Sequence, residues 1–225
     1  MQINYNFKWK TRHFFVLLIS IILTYLFFYL RSDWSPMHRW NRAVGDASFL
    51  LIAISMLIGP LSRLYKKIIF FVPWRRELGI YGVILALIHV GIILAGWVSW
   101  DLLRLIGYVI HPQTQNYVML EHGFGLSNII GIIAIIYGLI LAITSSNWSQ
   151  RLLGSSVWKF LHQSAYVLWM LIVIHTGYFL FIHFQHFHKR IPDPNWAQIP
   201  FLIIVILVIS LQLLAFIKTW KNNKR

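Results

Sequence analysis

The sequence predicts an all-α membrane protein built as a bundle of six transmembrane helices. Hydrophobic residues make up 58% of its 225 residues, charged residues only 12%, and the mean hydropathy is +0.66. This composition is far more apolar than that of a soluble domain of the same length. Long apolar runs alternate with short polar segments, and about 20 apolar residues are enough to cross the hydrocarbon core of a bilayer.

Six apolar runs define the predicted helices. The first follows a basic segment, as in a signal peptide, but no cleavage site of small residues comes after it, so we interpret it as a retained helix. Prolines between the fifth and sixth runs indicate a loop at that point. The predicted helices are residues 14–30, 43–60, 78–97, 126–143, 157–182 and 199–217.

The positions of Lys and Arg predict which way the chain crosses the membrane. An even number of spans brings both termini to one side, and fourteen of the 20 Lys and Arg residues fall on that side. By the positive-inside rule, both termini are predicted to be cytoplasmic. The connections are too short to hold a nucleotide-binding domain of ordinary size. Residues 1–225 are therefore predicted to form one membrane domain, and no internal repeat is evident.

Charge and cysteine content exclude several classes of function. The net charge of +14 comes from short basic clusters between apolar runs, not from one basic surface, so membrane lipid is predicted as a partner and nucleic acid is not. The chain contains no cysteine. Disulfides, thiolate-bound iron–sulfur clusters and a covalently attached c-type haem are therefore excluded. Any haem must be non-covalent, with histidine ligands.

Three of the ten histidines lie inside apolar runs: His89 on the third predicted helix, and His162 and His175 on the fifth. Polar side chains within a membrane are costly and usually functional, so three on two helices favour metal ligation over structural hydrogen bonds. We interpret the histidines near helix ends and in loops as solvated or interfacial: His13, His38, His111 and His122. A cluster just beyond the fifth helix is read as interfacial, with an exposed metal site as the alternative: His183, His186 and His188.

Depth along the helices distinguishes the three intramembrane histidines. If Arg76 and Lys159 mark the cytoplasmic edge, a rise of about 1.5 Å per residue puts His89 about 20 Å and His175 about 24 Å from that edge. His162 is only about 5 Å from it. Two imidazoles at one depth on parallel helices can bind a haem iron from both sides, which favours electron transfer over oxygen binding. For His162, a second haem, a haem propionate and a quinone stay open as partners.

Two segments of the chain resemble the ferric reductase-like transmembrane domain family. They are PWRRELGIYGVILALIH, residues 73–89, and LAITSSNWSQRLLGSSVWKFLHQSAYVLWMLIVIH, residues 141–175. The resemblance covers about residues 43–182, and in size and pattern the chain resembles the haem-binding membrane subunit of bacterial periplasmic methionine sulfoxide reductase systems. It implies b-type haem in a six-helix bundle and electron transfer across the membrane. The family's iron-binding histidines map onto His89, His162 and His175.

The chain also departs from part of that family. Eukaryotic ferric reductases and NADPH oxidases have a second histidine on the equivalent of the third helix, whereas Arg75 and Arg76 stand at the corresponding positions here. A symmetric stack of two haems therefore lacks one ligand. Arg75, Arg76 and Lys159 are candidate partners for haem propionates on the cytoplasmic side, and the alternative is that they mark the lipid interface. Asp46, the acid nearest the interior of an apolar run, is read as a capping or interfacial carboxylate.

These observations predict a membrane subunit that transfers electrons through haem and is not a complete enzyme by itself. Electrons would come from quinol or a cytoplasmic flavoprotein reductase and pass to a redox partner protein outside the cytoplasm, across the bacterial inner membrane. One haem b is predicted, and a second haem, a quinone or a flavin is left open. The alternative is a haem-free transporter or assembly factor whose histidines bind a metal ion or protons, although the broken helices and repeats typical of transporters are not evident.

Overall fold

A computed structural model describes residues 9–183 and 195–223. Nine α-helices are formed in these ranges: α1 Trp9–Tyr29, α2 Pro36–Leu64, α3 Trp74–Ile92, α4 Leu102–Leu105, α5 His122–Ile143, α6 Asn147–Leu153, α7 Ser155–Gln163, α8 Ala165–Phe181 and α9 Gln198–Asn223. A 3-10 helix, Lys66–Phe71, follows α2, and a π-helical turn, Ile93–Trp97, continues α3. Two short strands, β1 Tyr108–Ile110 and β2 Tyr117–Met119, pair in antiparallel fashion.

Six helical segments among the described residues are long and apolar enough to cross a membrane. They are Trp9–Tyr29, Pro36–Leu64, Trp74–Trp97, His122–Ile143, Ser155–Phe181 and Gln198–Asn223. Many large apolar side chains on these segments are exposed, above all on Trp9–Tyr29 and Gln198–Asn223, as expected for helices that face lipid tails instead of water. The predicted all-α class with six spans is confirmed.

Two of the predicted helices differ from the observed ones in ways that matter for function. Helix α2 begins at Pro36, well before the predicted residue 43, because proline suits the first turn of a helix. Arg42 therefore lies in the helix and not in the preceding loop. The fifth predicted helix is interrupted at Ser164, whose N–H bonds to the Leu161 carbonyl at 3.0 Å, so α7 and α8 are separate helices within one span.

The chain divides into two compact units, residues 1–89 with 202–225, and residues 90–201. In the first unit, small buried residues on α2 allow close packing of neighbouring helices, as is common in membranes: Ala43, Ala47 and Ala53. Polar bonds supplement this packing. Ser48 Oγ donates to the Gly82 carbonyl at 2.7 Å, and Arg12 Nε pairs with Glu77 Oε1 at 3.0 Å. The assignment of the whole chain to one domain stays a prediction.

In the second unit, α5 packs against α8 around buried Ala134, Leu141 and Leu168. The connection from α3 to α5 is folded and not an open loop. Asp101 caps α4 by accepting from the N–H groups of Leu103 and Arg104, and its other oxygen accepts from the Tyr117 hydroxyl at 2.8 Å. We call residues 98–121, which include α4 and the β1–β2 hairpin, the hairpin segment.

Candidate functional site

His89 is held in place by two features of α2. The imidazole lies near the C-terminal end of α3, half-buried, and its Nδ1 is 3.0 Å from the carbonyl oxygen of Asn41. One turn further along α2 is Gly45, where a Cβ atom would lie 3.2 Å from Nδ1 and 3.3 Å from Cε1 of His89. The glycine therefore provides the space that the imidazole occupies beside the α2 backbone.

His175 is held on α8 by the same two features of α5. Its Nδ1 is 2.8 Å from the carbonyl oxygen of Ser127. One turn further along α5 is Gly131, where a Cβ atom would lie 2.8 Å from Cε1 and 2.9 Å from Nδ1 of His175. Contacts this short are not found for real Cβ atoms, so the ring position depends on glycine at residue 131.

We define these arrangements as the first histidine site (Asn41, Gly45, His89) and the second histidine site (Ser127, Gly131, His175). In both, the histidine follows the residue that supplies the carbonyl by 48 positions, and glycine follows that residue by one helical turn. Each histidine also lies in the same short pattern, Ile-His-x-Gly. The spacing is thus repeated, although the sequence was expected to contain no repeat. That expectation arose because few side chains in the two segments match.

The chemistry of both sites fits haem iron. A carbonyl oxygen accepts only, so Nδ1 must carry the hydrogen and Nε2 is the nitrogen with a lone pair for a metal. Histidine ligands are usually oriented by such a hydrogen bond from the second ring nitrogen. The described residues contain no group of three or more His, Cys, Asp or Glu placed to hold a metal ion. Haem needs only two protein ligands, since the porphyrin supplies the other four.

His162 has a different environment from the other two intramembrane histidines. Its Nε2 is 3.3 Å from the Thr144 hydroxyl, and its ring stacks on that of Trp158 at a centroid distance of 4.0 Å. The Trp158 indole donates to the Thr144 carbonyl at 2.8 Å, which fixes the stacking ring. His162 lies on α7, and the interruption at Ser164 separates its orientation from that of His175 on α8.

The three basic candidates have three different environments. Arg75 is half-buried along α2: its Nε donates to the Ser55 carbonyl at 3.0 Å, and a Cβ at Gly59 would lie 3.2 Å from its guanidinium carbon. Arg76 is half-buried in the first turn of α3, and Lys159 is exposed on α7. Arg75 therefore packs one helix against another, in addition to any contact with a ligand.

A charged group beside the first histidine site was not recognised from the sequence. Asp46, predicted as a capping or interfacial carboxylate, forms an ion pair with Arg31, whose side chain is buried. Arg42, one turn before Asp46 on α2, lies close enough to interact electrostatically with Asp46 and with His89. The opposite charges four residues apart on one helix are the signal that sequence reading could have used.

The remaining histidines are mostly as expected, with one exception. His38 forms a local bond at a helix start and His111 forms one in the hairpin segment, and His122 is exposed at the start of α5. His13 contacts the ring of Tyr81 at 5.8 Å. His183 was predicted to be interfacial, but it is buried and contacts the aromatic ring of Phe124 in its own unit. His186 and His188 lie outside the described residues.

The fold and the two histidine sites define a multi-pass membrane protein with oriented intramembrane imidazoles, and the chain is a protein of the bacterial inner membrane. It matches the family described as ferric reductase like transmembrane component over residues 11–173 and belongs to that family. The matched region includes the whole first histidine site and His162. It ends two residues before His175.

Curated relatives are similar to part of the chain. The protein-methionine-sulfoxide reductase heme-binding subunit MsrQ of Yersinia pseudotuberculosis serotype O:1b (strain IP 31758) is 30% identical over 136 residues, which cover 58% of each chain. MsrQ of Yersinia pestis (strain Pestoides F) is 30% identical over 136 residues, 58% of this chain and 57% of the relative. The magnetosome protein MamZ of Paramagnetospirillum magneticum (strain AMB-1) is 26% identical over 141 residues, 63% of this chain and 20% of MamZ. The chain thus spans little more than half the length of the MsrQ relatives and a fifth of MamZ.

Proposed function

We propose that this chain is a haem-binding membrane subunit for electron transfer, in which His89 and His175 are the two axial ligands of one b-type haem. The observation that carries this proposal is the repeated histidine site: each imidazole is oriented through Nδ1 and given space by a glycine. Bound haem would supply a one-electron carrier. The chain's own residues hold the Nε2 atoms in a fixed tautomer and exclude side chains from beside the rings.

Membership of the ferric reductase-like family supports the proposal independently of the structure. MsrQ, which is named as a heme-binding subunit, aligns with more than half of this chain. We extend that property to this chain because its histidines have the coordination chemistry that haem requires. We also propose that His162 binds a second haem, a quinone or a flavin. Measuring which of these ligands the purified protein binds tests this role.

Arg75, Arg76 and Lys159 are proposed as cytoplasmic partners of haem propionates. Arg75 and Arg76 suit this role better than Lys159, since they are half-buried at a helix start where a guanidinium can reach the interior of the protein. The bond from Arg75 Nε to the Ser55 carbonyl holds the guanidinium against α2. Lys159 is exposed, so an interfacial role is equally compatible with its position.

Electrons are proposed to pass from quinol or a cytoplasmic flavoprotein reductase to an acceptor protein outside the cytoplasm. This direction rests on the predicted topology, in which fourteen of the 20 basic residues face the cytoplasm. Fusions of a cytoplasm-active and a periplasm-active reporter to the C-terminus test the topology. Activity of the periplasmic reporter alone would reverse both the membrane map and the proposed direction.

A haem-free transporter or assembly factor is the competing function. The interruption of the fifth span at Ser164 favours it to a degree, because broken membrane helices are common in transporters. Visible spectroscopy of the purified protein in detergent separates the two functions. We expect a sharp band of low-spin b-type haem after reduction with dithionite. A protein that purifies without haem, and does not take up added haemin, would support the transporter or assembly factor instead.

A further inference from the structure

One end of the first unit carries a dense group of basic side chains. Arg63, Lys66 and Lys67 follow one another at the end of α2 and the start of the 3-10 helix, while Lys218 and Lys221 lie in the last turns of α9. All five are exposed. The segments that carry them, residues 61–76 and 202–223, contain no Asp or Glu. We call these five residues the basic cluster.

Hydrogen bonds join the two segments that carry the basic cluster. Lys218 Nζ donates to the Leu64 carbonyl at 2.9 Å, at the C-terminal end of α2 where the helix dipole favours a cation. Arg63 donates to the Gln212 side chain at 3.4 Å, and Gln212 in turn donates to the Met56 carbonyl at 3.1 Å. The cluster is therefore assembled by tertiary contacts between residues more than 140 positions apart in the chain, and it is not a basic tail.

Large apolar side chains border the basic cluster and are exposed beside it. Ile69 on the 3-10 helix is 66% exposed, and Trp220 on α9 is 51% exposed. Tyr65 is exposed between Arg63 and Lys66. A cationic group next to exposed apolar and aromatic side chains, at the end of a membrane-spanning helix, matches the boundary between phospholipid headgroups and acyl chains.

We infer that the basic cluster is a binding site for the phosphodiester headgroup of an anionic phospholipid. Clusters of four to eight basic residues next to a membrane span are typical of such sites. The exposed apolar side chains favour a lipid over a water-soluble acidic protein. The acyl chains of a lipid would cover these side chains, whereas the acidic surface of a protein would not. The inference concerns lipid, and it does not depend on whether the chain binds haem.

The second unit offers a matched control for this inference. Its segment from α6 to α7 also follows a membrane-spanning helix, and it exposes apolar side chains such as Trp148 and Phe160. It carries only two basic residues, Arg151 and Lys159, both exposed. If any basic residue near the interface retained lipid equally well, the two segments would behave alike when the same number of charges is removed.

Native mass spectrometry of the purified full chain with added phosphatidylglycerol or phosphatidylcholine tests the site. In the unchanged protein we expect phosphatidylglycerol adducts that survive collisional activation better than phosphatidylcholine adducts. Lys66→Gln with Lys67→Gln should lower phosphatidylglycerol retention on the order of tenfold, since each basic residue near an anionic headgroup contributes comparably. Lys218 is left unchanged because it also caps α2.

The control variant carries Arg151→Gln with Lys159→Gln, and we expect it to retain phosphatidylglycerol to within about twofold of the unchanged protein, since the basic cluster is intact. Equal loss in the two double variants would overturn the inference in favour of general electrostatics. So would equal retention of the two lipids by the unchanged protein. If the Lys66 and Lys67 variant retains phosphatidylglycerol fully, the cluster is not a lipid site and an acidic protein becomes its candidate partner. Circular dichroism of each variant distinguishes loss of the site from loss of the fold.

Discussion

The two histidine sites have the same backbone arrangement in different surroundings. At the first site, Arg42 interacts electrostatically with His89 and with Asp46, and Asp46 pairs with Arg31. The second site is bordered by a hydroxyl group and an aromatic ring. There the Ser127 hydroxyl lies 3.4 Å from His175 Nδ1, and the Phe179 ring lies 5.1 Å from the imidazole.

The space around the two rings differs as well. A Cβ at Gly131 would approach His175 to 2.8 Å, whereas one at Gly45 would approach His89 only to 3.2 Å. The two sites share a carbonyl, which fixes the tautomer of the histidine, and a glycine, which fixes the position of its ring. Both features serve to present the imidazole to a metal ion. The sites differ in these glycine distances, and the charged residue Arg42 interacts with the first site. We therefore expect the charges near His89 to influence the redox potential and Gly131 to influence the position of His175.

The largest effect is expected from removing either imidazole. His89→Ala or His175→Ala should abolish most haem binding, or leave a high-spin spectrum, because the iron loses an axial ligand and an apolar cavity remains. The measurement is the haem-to-protein ratio and the reduced visible spectrum. His111→Ala and His122→Ala are controls that should leave both unchanged. Full low-spin haem in both of the first two variants would refute the assignment.

Adding one methyl group at each glycine is expected to separate the two sites. Gly131→Ala should cost about 1–3 kcal/mol in stability, as overpacking does, and should displace His175. Gly45→Ala should cost less, since the contact it creates is longer. Thermal stability and electron paramagnetic resonance of the ferric protein measure the two effects. Equal changes in the two variants would mean that the distance between glycine and imidazole does not distinguish the two sites.

His162 tests whether the repeat extends towards the cytoplasmic side. Arg76 precedes His89 by the same thirteen positions that separate His162 from His175, so the two units differ in residue type at this level. We expect His162→Ala to lower electron transfer from donor to acceptor while at least one haem is retained. The haem content and the reduction kinetics measured on the same sample decide this. Loss of all haem would make His162 central to binding.

A smaller effect is expected from neutralising the carboxylate near the first site. Asp46→Asn removes a negative charge that offsets Arg31 and Arg42, so it should raise the haem midpoint potential by favouring the reduced state. Breaking this largely buried pair should also lower stability by about 3 kcal/mol. A potentiometric titration measures the first effect and thermal denaturation the second. Ile132→Asn, one residue after Gly131 as Asp46 is after Gly45, adds an amide without changing charge and should shift the potential less.

The smallest effect concerns the hairpin segment of the second unit. The Tyr117 hydroxyl, with the N–H groups of Arg104 and Leu103, holds the pKa of Asp101 below its usual 3.8. Because the folded-state pKa is lowered, the stabilisation is present above pH 3.8 and is lost as pH falls through the folded-state value. Hydrogen exchange of the hairpin amides, corrected for intrinsic rates, should therefore be constant from pH 7 to about 5 and accelerate only at lower pH. Asp101→Asn should remove that pH dependence.

The sequence predicted the spans better than it predicted the sites. Hydropathy identified all six membrane helices, because the bilayer imposes the same length and apolar character on each segment separately. It could not identify the extension of α2 to Pro36, which places Asn41 and Arg42 in a helix. Arg39, Asn41 and Arg42 make this turn polar, so a hydropathy profile assigns it to a loop. The interruption at Ser164 was also missed, since the apolar run continues through it.

The sequence by itself determined that this protein crosses the membrane, that His89, His162 and His175 lie within the spans, and that Lys and Arg are unequally distributed between the two sides. These properties depend on residue type and position along one helix. Tertiary structure alone decided that the Asn41 and Ser127 carbonyls orient the imidazoles, that Gly45 and Gly131 lie behind them, and that Asp46 pairs with Arg31. Such partners lie on other helices or beyond a connection, and backbone carbonyls are present at every residue, so no periodicity in the sequence marks the ones that bind.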